Sequence, residues 1–129
     1  MTDTPDGKWL LVVEDDAYIN KAYSAKFVHE NIPVQFAVDG EDAMKILGSA
    51  NTVPSLILLD LMLPKMNGFE VLEGLKKDAK FKDIPVIVLS NLGQESDVDR
   101  GKKLGAEEYL VKADTKIADI LVKVKKYLT

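Results

Sequence analysis

Short runs of consecutive apolar residues alternate along this chain with longer segments whose apolar residues recur every three or four positions. Trp9 to Val13 (WLLVV) is the first run. It is bounded by charge on both sides, which predicts a strand buried on both faces. Residues 17–29 follow, with Ile19, Ala22, Tyr23 and Phe27 at helical spacing. Pro33 closes that region, and Val34 to Val38 alternates as a second strand. Asp39-Gly40 turns the chain into a helix carrying Ala43, Ile46, Leu47 and Ala50 at i, i+3, i+4 and i+7. Pro54 leads into a third strand, Ser55 to Asp60, and a helix from Gly68 is expected to bury Val71, Leu72, Leu75 and Ala79. Pro85 introduces a fourth strand, VIVLS, which ends at Ser90. Residues 95–104 make the weakest helix, because Asp97, Asp99 and Gly101 lower its propensity and few apolar residues anchor it. Gly105 is placed to stop that helix, and Glu108 to Val111 reads as a short fifth strand. The last helix puts Ile117, Ile120, Leu121, Val124 and Leu128 on one face and lysines on the other.

Strand then helix, five times over, predicts an α/β fold: a five-stranded parallel sheet, doubly wound by right-handed crossovers. Functional groups in such sheets gather at the carboxyl ends of the strands. A chain of 129 residues suits one compact domain, here expected over residues 9–129 after a polar, disordered lead-in at 1–8. That lead-in, MTDTPDGK, lacks the apolar core of a signal peptide. The net charge of −4 argues against a nucleic-acid surface, and the absence of cysteine removes disulfide and thiolate chemistry. No apolar run approaches the roughly 18–20 residues of a membrane span, so no membrane insertion is expected, and the lack of cysteine fits a cytoplasmic setting.

The strand ends carry the chemistry. The first ends in Glu14-Asp15-Asp16, the third in Asp60, the fourth in Ser90 and the fifth in Lys112. Carboxylates crowded at one sheet edge repel, and protonation or a cation relieves them. Oxygen donors of this kind suit a hard dication, Mg²⁺ above all, with Mn²⁺ as an alternative. A lysine ammonium offsets the remaining charge, and a serine hydroxyl can donate to an incoming oxyanion. Asp60, at the tip of the oily stretch LILLDLMLPKMNG, then becomes a nucleophile toward phosphorus, giving an acyl phosphate. The metal and Lys112 would neutralise the phosphoryl oxygens during transfer.

At these residues the chain resembles the receiver domain of two-component response regulators over essentially its full length. LLVVEDD resembles the family's acidic-pair motif, LILLDLMLPKMNG its phosphoacceptor strand and loop, VIVLSNLG its hydroxyl-bearing strand and GAEEYLVKAD its lysine strand. The resemblance implies the flavodoxin-like strand order 2-1-3-4-5. It implies Glu14 and Asp15 as metal ligands with Asp60 and the Met62 backbone carbonyl. It also implies Asp60 as phosphoacceptor, Ser90 and Lys112 as phosphoryl contacts, and Ser90 with Tyr109 as the switch. Phosphate would come from a sensor histidine kinase or phosphotransfer protein. The output would be a changed protein-binding face on the fourth helix, fifth strand and fifth helix, read by a downstream protein target if the chain stands alone, since no output domain follows Thr129; an excised domain of a larger regulator is the alternative. On this reading the chain is regulatory and not an enzyme beyond its own phosphoryl transfer and autodephosphorylation.

Two departures from the family pattern matter. Ala113 stands where proline usually follows the lysine, which is expected to leave that loop less rigid. Met62 and Leu92, both apolar, flank the path of the attacking water in the family, so a long-lived Asp60 phosphate is expected. Other residues have plainer roles: Asp16 as the cap of the first helix and His29 as a surface residue, not a phosphorelay histidine. A degenerate receiver acting only as a binding module is one alternative. An aspartate-nucleophile phosphatase is another, but it needs a second Asp where Met62 stands. A flavodoxin-like cofactor binder is the third, and its phosphate would be repelled by Glu14-Asp15-Asp16.

Overall fold

The computed structural model describes residues 7–128. Most of the expected lead-in, residues 1–6, lies outside them, while Gly7 and Lys8 are exposed. The chain order is β1 (Leu10–Val13), α1 (Ala17–His29), β2 (Val34–Ala37), α2 (Gly40–Ser49), β3 (Leu56–Leu59), α3 (Gly68–Lys77), β4 (Val86–Ser90), α4 (Glu95–Lys103), β5 (Glu108–Val111) and α5 (Ile117–Leu128), with a single 3₁₀ turn at Lys112–Asp114. All neighbouring strands are parallel, in the order β2-β1-β3-β4-β5.

Alternation within the strands divides the core in two. Leu11, Val13, Ile57, Leu59, Val86 and Val88 face α2 and α3, while Leu10, Val12, Leu56, Leu58, Ile87 and Leu89 face α1 and α5. The sheet is thus covered on both sides, which is why its strands read as unbroken apolar runs. Trp9 lies just before β1, fully buried, and its indole N–H donates to the carbonyl and hydroxyl of Thr52, both at 3.2 Å.

Some boundaries differ from the expected ones. Val38 falls outside β2 and is exposed. Helix α3 stops at Lys77, so Ala79 lies beyond it in an exposed turn, because the Asp78 cap diverts the backbone to an extended conformation. On α1, Ala22 is exposed and Phe27 is the one fully buried apolar residue. Gly105, at φ +110°, ends α4 as expected. Its N–H bonds Lys102 O at 3.0 Å and the Ala106 N–H bonds Gly101 O at 3.1 Å, a pairing that satisfies two of the helix's last carbonyls. Two lysines of α5 are paired rather than merely solvated: Lys123 with Glu108 and Lys125 with Glu30, each at 2.5 Å.

Candidate functional site

Strand register sets the heights of the predicted groups. Val13 pairs with Leu59, so Glu14 and Asp60 leave the sheet at the same level. The Asp60 N–H bonds Val13 O and the Glu14 N–H bonds Ala37 O, which fixes both backbones against neighbouring strands. Leu59 pairs with Val88 and Ser90 with Val111, so Ser90 stands one residue further out than Asp60, and Lys112 one further again. A long, flexible side chain at that height can reach back to the carboxylates. Lys112 does so: its Nζ donates to Glu14 Oε1 and, at 2.9 Å, to Asp60 Oδ2.

Both carboxylates are buried, Glu14 at 3% and Asp60 at 6% exposure, whereas Asp15 is exposed. One carboxylate oxygen from each of Glu14, Asp15 and Asp60 falls within 4.8 Å of the others. The remaining bonds hold these groups in place. The Met62 N–H donates to Asp60 Oδ1 at 3.0 Å, the Asp16 N–H to Glu14 Oε2 at 3.1 Å, and Asn20 Nδ2 to the Glu14 carbonyl at 2.7 Å. Asp16 also caps α1 as expected, accepting from the Tyr18 and Ile19 N–H groups. Ser90 is wholly buried, and its Oγ accepts from the Leu92 N–H at 3.4 Å.

Charge in this pocket is unbalanced. Burial raises Glu14 above the usual carboxylate range, against the pull of Lys112 and the Asp16 N–H, and the Asp60 charge adds to the rise. Burial alone would loosen the Lys112 proton, but its bonds to Glu14 and Asp60 outweigh that and carry it above the usual lysine range. Glu14 holds its proton chiefly because it is buried, and Lys112 because two carboxylates face one ammonium. An all-oxygen cluster with surplus negative charge fits a hard divalent cation.

Tyr109 on β5 packs its ring against Gly101 of α4, and its hydroxyl donates to the Leu92 carbonyl in the loop after β4. Burial, with the charges of Asp97 and Asp60, pushes its phenol up to about 12. A Cβ at Gly101 would lie 2.8 Å from the Tyr109 ring. That explains a glycine inside a helix otherwise short of anchors, which Arg100 supplements by stacking 4.2 Å from the Phe69 ring centroid. Gly101→Ala is therefore expected to drive the ring outward and lower its phenol from about 12 toward 10.0, read by ultraviolet pH titration of tyrosine. An unchanged titration would show that the ring is not held there.

The response regulator receiver domain model matches residues 10–125. The chain belongs to the receiver domain family. Its similarity extends to the "DNA-binding dual master transcriptional regulator RpaA" of Synechocystis, 39% identical over 122 residues, covering 92% of this chain and 48% of that protein. The chain spans about half the length of the curated regulators of this kind that it matches. Among solved structures, the receiver domain of the Francisella response regulator 1452 superposes with a TM-score of 0.83 at 29% identity, covering 95% of this chain and 97% of that one. The Mn²⁺-bound form of response regulator Rcp1 does so at 0.77 and 32%, covering 92% and 90%. A receiver domain is a regulatory unit of two-component signalling, and the 2-1-3-4-5 sheet has the order expected of it.

Of the residues singled out from sequence, the structure brings Glu14, Asp15, Asp60 and Lys112 into one cluster, with Ser90 and Tyr109 at its β4 side. His29 lies apart, with a side chain 78% exposed. Sequence reasoning missed Asn20, which fixes the Glu14 carbonyl, and Asn91, whose Oδ1 accepts from the Ala113 N–H at 3.1 Å. Asn91 follows Ser90 directly, and that adjacency was the one signal available. No helix among the described residues is long and apolar enough to cross a membrane.

Proposed function

We propose that Asp60 accepts a phosphoryl group from a sensor histidine kinase or phosphotransfer protein, and that the resulting acyl phosphate switches the surface formed by α4, β5 and α5. The observation that carries this reading is the bridge from Lys112 Nζ to both Glu14 and Asp60 beside the three-carboxylate cluster. Both Asp60 oxygens are engaged, one by Lys112 and one by the Met62 N–H. Capture exchanges one of those bonds for a bond to phosphorus, while the bond from phosphorus to the donor's histidine nitrogen breaks and the electron pair returns to that nitrogen. Lys112 then turns to the phosphoryl oxygens, and the Ser90 hydroxyl donates to one of them.

Glu14, Asp15, Asp60 and the Met62 carbonyl would hold Mg²⁺, or Mn²⁺ as in the solved form of Rcp1. When bound, the ion supplies positive charge to the transferring group. Tyr109, bonded to the loop after β4, would carry the change to α4. That helix buries only Gly101 of its own residues, so we take it as the element that moves. A downstream protein is the proposed reader, and the DNA binding in the name of RpaA belongs to that protein.

Incubation with acetyl phosphate and Mg²⁺ tests the central step. A single phosphate adduct by intact mass is expected, absent in Asp60→Asn; an adduct that persists in that variant would defeat the reading. The phosphate should also be long-lived, since Met62 and Leu92 offer no polar group to orient water. Met62→Asn is expected to shorten its half-life by about three- to ten-fold, followed by loss of the adduct after donor removal. An unchanged half-life would leave the apolar side chain without that role.

A further inference from the structure

Lys112 is held at its far end by two carboxylates, but the backbone that delivers it sits in one exposed 3₁₀ turn. That turn is closed by the Thr115 N–H to Lys112 O at 3.2 Å and by Thr115 Oγ1 to Val111 O at 2.8 Å. The first N–H groups of any such turn have no partner within it. Ala113 carries one of them, and Asn91 Oδ1 accepts it at 3.1 Å. Register makes this meeting possible: Ser90 pairs with Val111, so Asn91 emerges level with Lys112, and a side chain of amide length reaches the next residue's N–H. Proline at position 113 would have no N–H to give. The alanine that departs from the family pattern therefore supplies a donor, and one hydrogen bond ties that loop to the residue after β4.

We propose that Asn91 is a positioning residue for Lys112, acting through its bond to the Ala113 N–H. The inference rests on the phosphoacceptor reading, because it assigns Asn91 to the same site. It also joins the loop after Ser90 to the turn after Lys112, so the two phosphoryl contacts are held to one another and not only to the sheet.

The test uses the full chain and its Asn91→Ala, Ala113→Pro and doubly substituted forms, with acetyl phosphate at fixed Mg²⁺. Asn91→Ala should slow adduct formation by about three- to ten-fold, the range set by loss of one hydrogen bond. Its urea midpoint should fall only slightly, since the bond lies at the surface. Amide hydrogen exchange at Ala113 should accelerate in the same variant. With Pro at 113, adding Asn91→Ala should change nothing further, because the donor is already gone. A wild-type rate in Asn91→Ala, or an equal slowing in both backgrounds, overturns the proposal. A wild-type chain that takes no phosphate defeats the phosphoacceptor reading instead, and Ala113 exchange then decides the bond alone.

Discussion

Replacing Lys112 with methionine will cost this domain both stability and phosphate capture. The substitution keeps the aliphatic stem but leaves Glu14 and Asp60, both buried, facing each other without their ammonium. Removing one partner from a buried charge cluster costs about 3 kcal/mol, because the remaining charges stay desolvated. In metal-free buffer the urea midpoint should fall accordingly. Millimolar Mg²⁺ should restore much of it, since a bound dication stabilises only the folded chain. Phosphate capture at Asp60, on the proposed mechanism, should fall by about a hundred-fold even with Mg²⁺ present, through loss of a charge aimed at the phosphoryl oxygens. The pH dependence has a definite sign. Lys112 is raised in the folded state, so its contribution is fully present below its ordinary value of 10.5 and is lost only as pH rises through the higher folded one. Where Glu14 is ionised in both forms, the difference between wild type and variant should therefore stay flat up to that range. Equal midpoints in chelator would remove Lys112 from the account of stability, and a wild-type capture rate would remove it from the mechanism.

Gly68→Ala is the second large effect, and it acts on the backbone. A Cβ there would lie 2.4 Å from the Leu61 Cα and 2.5 Å from the Asp60 carbonyl oxygen. Neither neighbour can rotate away, as a side-chain tip could, so the strand end or the start of α3 must shift. The Gly68 N–H also bonds Leu61 O at 2.9 Å, which pins the two segments together. The expected cost is about 2–4 kcal/mol, and on the proposed mechanism capture at Asp60 should slow because the displaced backbone is its own. Gly74, in the same helix, is the control: nothing lies within 4 Å of its Cβ position, so Gly74→Ala should stabilise by about 1 kcal/mol. Urea unfolding of the pair measures both, and a cost of the same sign at the two positions would contradict the packing argument.

Much of this molecule is legible in its sequence. WLLVV, LILL and VIVLS are continuous apolar runs because their strands are covered on both faces, and apolar period together with Pro, Gly and Asp boundary residues marks the helices between them. Alternating strands and helices then require a parallel sheet, and a parallel sheet puts Glu14, Asp15, Asp60, Ser90 and Lys112 at one edge. These inferences succeed because burial and chain connection leave marks within a few residues. Ala79 failed because apolar spacing continued past the point where the Asp78 cap ended α3.

The contacts that make the edge a site left no such marks. Lys112 meets Glu14 across 98 residues of chain and Asp60 across 52, and Asn91 meets Ala113 across 22. Gly101 lowers the helix propensity of α4, and only the fold sets the Tyr109 ring against it. Strand register and the reach of single side chains set these meetings, and both arise from packing among residues remote in sequence. Local pattern therefore places the groups at one edge, and three-dimensional packing sets which of them touch.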